Sequence, residues 1–244
     1  MKALRLRVLA LALLTGLITA APALADSYFL RDANGDTTYY DVQLTGNDDS
    51  LMSWAAAASN VLHWGGWGTA GCPTAEAVFQ KHVDRWDNNY GRSVDSWKWW
   101  LNGDAQHSEG NYWPGTPYLS VYHGSGYGNP QGAMTDIHSF LHSGYGVTVN
   151  VMNGWSEHVL TVWGYDTDLA GGFNGLWVTD AEDAVNGLAH YTVQRNGNGE
   201  WILDGRYNGY KLWAVEALAQ TPVPAALPLL ASGLAGLWLR RRVG

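Results

Sequence analysis

The chain has 244 residues, of which 15% are charged, and its 22 acidic residues outnumber its 14 basic ones. Six of the basic residues lie near the two ends, so segment 26–220 holds eight basic against 22 acidic residues, a formal charge of −14. A surface of this sign repels nucleic acid and anionic lipid, so we expect no nucleic-acid partner.

The N-terminal segment 1–25 predicts export. Basic residues at its start precede an apolar run from Val8 to Ile18, and Ala23-Leu24-Ala25 offers small residues for cleavage before Asp26. We therefore expect a signal peptide and a protein located at the cell surface or outside the cell.

The segment 26–220 is long enough for one domain with a full core. Its single cysteine, Cys72, cannot form an internal disulfide, so packing must hold an exported domain together. The chain has 14 Trp and 13 Tyr, and we expect most of these aromatic side chains in the core rather than on a ligand platform.

Helices are predicted in the first half of this segment. The Ala-rich run 48–63 has apolar residues at three- and four-residue steps, a second helix begins at Pro73, and a third covers 135–142. The aromatic, Gly-rich stretch 88–129 is expected to close over the core.

Short alternating or β-branched runs bounded by Gly, Asn or Asp predict strands from residue 146 onward. Helices followed by strands predict an α+β domain over 26–220, with N-terminal helices packed on a C-terminal antiparallel sheet. The predicted strands are 147–152, 158–165, 176–179, 190–193, 201–203 and 211–216.

The C-terminal segment 221–244 predicts a sorting or anchor signal. Val223 to Leu239 is an uncharged run of 17 residues, about the minimum for a membrane span, and Arg240-Arg241-Arg242 follows it. With Pro222-Val223-Pro224 ahead of it, the segment resembles a PEP-CTERM sorting signal. That resemblance implies export and sorting machinery as a partner and transient or stable anchoring in the inner membrane by 223–239. A plain C-terminal anchor is the alternative.

Ser53 lies near the start of the first predicted helix, in Asp49-Ser-Leu-Met-Ser-Trp-Ala-Ala-Ala-Ala-Ser-Asn-Val-Leu-His-Trp64. A nucleophile at that position sits in the positive end of the helix dipole, which lowers the pKa of a thiol. Ser53 as an ordinary capping residue is the alternative.

A histidine strand and an aspartate strand follow about a hundred residues later. His158 opens the run His158-Val-Leu-Thr-Val-Trp-Gly-Tyr-Asp166, and Asp180 ends the next run. A neighbouring strand is able to present Asp180 to the imidazole, and Glu182, two residues on, is the second acid for that role. His190 is the rival base.

These three stretches, in this order, resemble the IdeS/Mac immunoglobulin-degrading endopeptidases, which are papain-like cysteine peptidases. The resemblance implies a papain-like fold, a protein or peptide substrate, no cofactor, and a site of Ser53, His158 and Asp180. The family has an oxyanion-binding lysine upstream of its cysteine, whereas here Gln43 stands about ten residues before Ser53 and is predicted to take that role. No spaced metal-ligand pair is present, so no metal is expected.

Serine replaces the family's cysteine at position 53. A hydroxyl is far more basic than a thiol, so a site built for a thiolate and imidazolium pair leaves Ser53 protonated. We therefore expect an impaired or inactive member of an endopeptidase family. The alternatives are a non-catalytic peptide-binding module and an extracellular-matrix surface protein.

Overall fold

The computed structural model describes residues 26–46 and 48–222 of the chain. The predicted signal peptide, 1–25, and the predicted anchor, 223–239, lie outside these residues. Within the described ranges, no helix combines the length and the apolar character that a membrane crossing requires.

Four α-helices and eight β-strands form within the described part of the chain. The helices are α1 (Ser53–Trp64), α2 (Ala75–Val83), α3 (Ser93–Asn102) and α4 (Ala133–His142). The strands are β1 (Asp26–Phe29), β2 (Tyr122–Gly124), β3 (Gly146–Asn153), β4 (Ser156–Thr167), β5 (Phe173–Thr179), β6 (Ala189–Arg195), β7 (Trp201–Leu203) and β8 (Lys211–Leu218).

Strands β3 to β8 form a closed antiparallel barrel in the order β4-β3-β8-β7-β6-β5, which returns to β4. Closure depends on the length of β4, which has 12 residues. Its residues 156–162 pair with β3 and its residues 161–167 pair with β5. β1 pairs with residues 164–167 of β4, and β2 pairs with the end of β8.

The predicted fold class, a papain-like α+β fold with N-terminal helices packed on a C-terminal antiparallel sheet, is therefore wrong. The six predicted strands exist and are antiparallel, but they close into a barrel that dominates the domain, and the helices are short, with 9 to 12 residues each. The alternating pattern identified the strands, whereas the pairing of β3 with β8, the first and last strands of the ring along the chain, closes the barrel and has no local sequence signal.

The first helix begins later than predicted, at Ser53 instead of Asp48. The Asp49 carboxylate accepts hydrogen bonds from the backbone N–H groups of Thr45 and Gly46, at 2.8 and 2.9 Å, and this side chain therefore bonds to the segment before it instead of starting a helix. Helix α3 lies inside the stretch 88–129, where no helix was predicted.

Helix α1 packs closely against the outer face of the barrel. The four alanines 55–58 are at most 3% exposed, and their small side chains let the helix approach β4. Val159 of β4 packs against the start of α1, and the Thr161 hydroxyl of β4 lies 3.4 Å from the Ala57 carbonyl oxygen. This contact brings Ser53, the first residue of α1, next to the start of β4.

Large side chains fill both faces of the sheet. Trp97, Trp99 and Trp100 of α3 are fully buried, as expected for aromatic residues of the core. Cys72 is buried in the same cluster. On the opposite face, α4 packs with one buried residue from each barrel strand: Val149, Leu160, Val178, Val193, Leu203 and Val215.

Asn60 of α1 ties the helix to the barrel. Its Oδ1 accepts from the Val42 backbone N–H at 3.1 Å, and its Nδ2 donates to the hydroxyls of Thr161 and Thr179, at 3.1 and 3.4 Å. Asn60 is 2% exposed, so water cannot replace these bonds if the amide is removed.

We expect Asn60→Ala to lower the free energy of unfolding by about 2–4 kcal/mol, because it leaves a cavity and removes the acceptor of the buried Val42 N–H. Urea unfolding followed by fluorescence measures the loss. The exposed Asn34→Ala serves as the control and should change stability by less than about 0.5 kcal/mol. An equally small change in Asn60→Ala would contradict the linking role of this side chain.

Candidate active site

Ser53 occupies the first position of α1 but does not cap it. Met52 is the N-cap residue, and no side chain caps this end. The Ser53 hydroxyl oxygen instead accepts from the Val159 backbone N–H, at 3.3 Å. Ser53 is 7% exposed. The serine therefore faces the strand that carries His158 and does not act as a helix cap.

The start of α1 offers backbone donors beside this hydroxyl. The N–H groups of Ser53 and Trp54 donate to no residue in the described ranges, as is usual for the first turn of a helix. Such amides at the positive end of a helix dipole stabilise a developing negative charge. These donors were not identified from the sequence, although any helix starting at Ser53 would leave them free.

His158 and Asp180 form a buried pair. The imidazole Nε2 lies 2.7 Å from Asp180 Oδ1, and the two side chains are 4% and 0% exposed. β4 carries His158 and Asp180 follows β5, so the pairing of β4 with β5 brings them together. The Tyr207 ring stacks on the imidazole, with ring centroids 5.0 Å apart, and fixes its plane.

The Asp180 carboxylate is fully satisfied despite its burial. Oδ1 also accepts from the Glu182 backbone N–H, at 3.0 Å. Oδ2 accepts from the hydroxyls of Tyr191 and Tyr207, at 2.7 and 3.0 Å, and the Arg206 Nε lies 3.5 Å away. Burial raises the pKa of Asp180, but its bonds with His158 and Tyr191 and the charge of His158 outweigh burial and lower the pKa to about 2.

The surroundings of His158 favour its charged form. Burial lowers the pKa of His158, but the hydrogen bond and charge of Asp180, together with Glu182, outweigh burial, so the pKa is raised above its usual value. The ring therefore favours the imidazolium more strongly than an ordinary histidine does. An imidazolium cannot accept a proton, so it suits a thiolate partner better than a hydroxyl that needs a base.

Glu182 lies on the other side of the same ring. Its Oε1 is 3.3 Å from His158 Nδ1, an ion pair without hydrogen-bond geometry, and its side chain is 40% exposed. Contact with His158 lowers the pKa of Glu182, while partial burial opposes this. The structure thus brings Ser53, His158, Asp180 and Glu182 together, with one acid at each ring nitrogen.

The His158 Nδ1 atom has no hydrogen-bond partner in the described structure, so it is not bonded to the Ser53 hydroxyl. The two groups meet through the Val159 backbone instead. Hydrogen bonds between a nucleophile and its base are often long or unformed before substrate binds.

Gln43 lies beside Asp180 but its amide is occupied. Nε2 donates to Asp41 Oδ1 at 2.8 Å and to the Asp180 carbonyl oxygen at 3.2 Å. These bonds use both of its N–H groups, so the predicted oxyanion role requires the side chain to leave at least one of them. Residues 43–46, Ser50 and 181–183 line an open cleft next to this side chain.

The other histidine considered for the site lies elsewhere. The His190 Nε2 is 2.8 Å from Asp166 Oδ2, and its ring packs on Trp177. Among residues 26–46 and 48–222, no group of three His, Cys, Asp or Glu side chains is placed to hold a metal ion.

No protein-family model matches this sequence, and no curated protein matches it. The resemblance to IdeS/Mac endopeptidases and to PEP-CTERM signals therefore stays a prediction, as do the catalytic roles of Ser53, His158, Asp180, Gln43 and Glu182.

The titration of His158 tests whether Asp180 and Glu182 raise its pKa by more than burial lowers it. In an NMR titration, we expect its pKa to lie above that of an ordinary histidine and to fall in Asp180→Asn, where burial is no longer opposed by the buried acid. The more exposed Glu182→Gln should produce a smaller fall. An unchanged titration in Asp180→Asn, in a variant that keeps its backbone spectrum, would show that Asp180 does not set the pKa of His158.

Asp41, the partner of Gln43, provides a pH test of stability. Burial raises the pKa of Asp41 to about 6, even though the Gly187 N–H and Gln43 donate to it. The folded-state pKa of Asp41 is above its unfolded value of 3.8. The contribution of this carboxyl group to the free energy of unfolding is therefore full below pH 3.8 and is lost as the pH rises through about 6.

We therefore expect Asp41→Asn to raise the free energy of unfolding by about 1–2 kcal/mol at pH 8 and to change it little at pH 4. Urea unfolding at both pH values measures the difference. The exposed Asp84→Asn shows the general effect of removing one negative charge. A loss of stability in Asp41→Asn at pH 8 would mean that the charged carboxylate is needed.

Proposed function

We propose that this protein is an exported endopeptidase-type hydrolase that acts on peptide bonds through Ser53, His158 and Asp180, with low turnover. The observation that carries the proposal is the buried His158 and Asp180 pair, 2.7 Å apart, next to the serine at the start of α1. The resemblance of these three stretches to IdeS/Mac endopeptidases supports it, and the sequences of segments 1–25 and 221–244 support export and sorting at the inner membrane.

The reaction would be an acyl transfer to Ser53. Its Oγ attacks the carbonyl carbon while His158 Nδ1 takes the hydroxyl proton, and Asp180 holds the imidazole from Nε2. The N–H groups of Ser53 and Trp54 donate hydrogen bonds to the carbonyl oxygen and stabilise the negative charge that forms on it. His158 then returns the proton to the leaving amine, and water hydrolyses the resulting ester.

Low turnover follows from the charge of the site. The acids on both sides of His158 favour the imidazolium, so only the deprotonated fraction is able to activate Ser53. A cysteine at this position would need no such step, because its thiolate is stabilised by the imidazolium and by the helix dipole. The site is thus better matched to sulfur than to oxygen.

Peptide binding without hydrolysis is the second candidate function. It is favoured by the absence of a hydrogen bond between His158 Nδ1 and Ser53, and by the Glu182 carboxylate next to that nitrogen. Protein or peptide is the partner under both proposals.

We expect Ser53→Cys to react with a thiol-directed, peptide-based active-site probe and to cleave a protein substrate faster than the wild type. Labelling of Ser53→Cys should fall at least about tenfold when His158→Ala is added, because the imidazolium no longer stabilises the thiolate. Ser50→Cys, an exposed thiol three residues earlier, is the matched control, and its labelling should not depend on His158.

The same experiment separates the two candidate functions. Proteolysis by the wild type that is lost in Ser53→Ala supports the hydrolase. Peptide binding with no turnover in either the wild type or Ser53→Cys supports the binding module. Labelling of Ser53→Cys that persists without His158 contradicts the assigned catalytic residues.

A further inference from the structure

Asn150, in the middle of β3, is a buried side chain whose amide oxygen has no hydrogen-bond partner. It is 6% exposed, its Oδ1 is enclosed without a hydrogen-bond partner, and its Nδ2 donates to no described residue. An unpaired buried amide is unfavourable and is rare in folded proteins. Its cross-strand partners on the same face, Val159 and Ala214, are apolar and do not bond to the amide.

The position of Asn150 relates it to the candidate active site. It pairs with Val159 of β4, so the two side chains lie on the same face of the sheet. Val159 packs against the first turn of α1 and donates its backbone N–H to Ser53 Oγ. On its other side, Asn150 pairs with Ala214, whose side chain is small. The unpaired amide thus stands one strand away from the residue that contacts the serine.

We propose that Asn150 is a specificity-determining residue that binds a carboxamide side chain, from Asn or Gln, of the peptide held at Ser53. The proposal rests on the proposed peptide substrate. A carboxamide supplies both the donor that Oδ1 lacks and an acceptor for Nδ2. An aliphatic side chain supplies neither, and a carboxylate supplies no donor. Rotation of the Asn150 amide by half a turn exchanges its donor and acceptor, and a carboxamide matches both orientations.

A residue that serves binding and destabilises the fold can be recognised because its replacement raises the stability of the protein and weakens binding. We expect Asn150→Leu to raise Tm by about 2–4 °C, because it replaces an unpaired amide with an apolar group of similar volume. Thr148→Val, two residues earlier on the same face of β3, is the matched control for removing a polar group from this strand.

Binding is measured on proteins that carry Ser53→Ala, so that no peptide is consumed, with a synthetic position-scanning peptide library. With Asn150 present, peptides with Gln or Asn at one position should bind about tenfold more tightly than those with Leu, the value of one well-formed hydrogen-bonded pair. Asn150→Leu should reverse this preference, and Thr148→Val should keep it. If Asn150→Leu does not fold, Asn150→Asp gives the same readout, because a carboxylate has no donor and the preference for carboxamides should fall.

The results separate this inference from the proposed function. Binding with a carboxamide preference but no hydrolysis by the wild type supports the role of Asn150 and overturns the hydrolase. Hydrolysis with the same side-chain preference in wild type and Asn150→Leu leaves the hydrolase and overturns the role of Asn150. A fall in Tm for Asn150→Leu, or no peptide binding by any of the proteins, also overturns it.

Discussion

The close packing of α1 on β4 is the contact on which the site depends. Four alanines let the helix approach the barrel, and Asn60 fixes its position through bonds to β4, to β5 and to the segment that leads to Gln43. None of these residues has a chemical role, yet together they determine where Ser53 lies. Placement of the nucleophile is therefore a property of the core, and a change in helix packing would displace Ser53 without altering any residue of the site.

The pairing of β5 with its two neighbouring strands supplies the other half of the site. Asp180 at the end of β5 reaches His158 on β4, Tyr191 on β6, and Tyr207 in the loop before β8, so one buried carboxylate joins three consecutive strands and a later loop. The cost of burying this charge is offset by its donors. The bond to Asp180 raises the pKa of His158, so the arrangement that stabilises the fold also makes the imidazole a less available base for a hydroxyl group.

The sequence predicted local features better than long-range ones. All six barrel strands and the helix after Pro73 were found because their periodicity and turn residues are local signals. Closure was not predictable, since it depends on the pairing of β3 with β8, which are far apart along the chain and share no local signal. Ser53, His158, Asp180 and Glu182 were grouped by order along the chain, but the Asp180 partners Tyr191 and Tyr207, 11 and 27 residues away, belong to no motif. The unpaired amide of Asn150 is invisible in a strand that otherwise alternates normally.

Strand β8 gives the barrel a strict order of assembly. It occupies the gap between β3 and β7, and it is the last of the described strands along the chain. A ribosome or an export channel delivers a chain from its N-terminus, so the ring cannot be completed until residues 211–218 have emerged. Until then β3 lacks a neighbour on one edge, and the loop that carries Tyr207, a partner of Asp180, is anchored at one end only. The site therefore forms only once nearly the whole domain has been released, which delays the appearance of any activity until delivery of the domain is nearly complete.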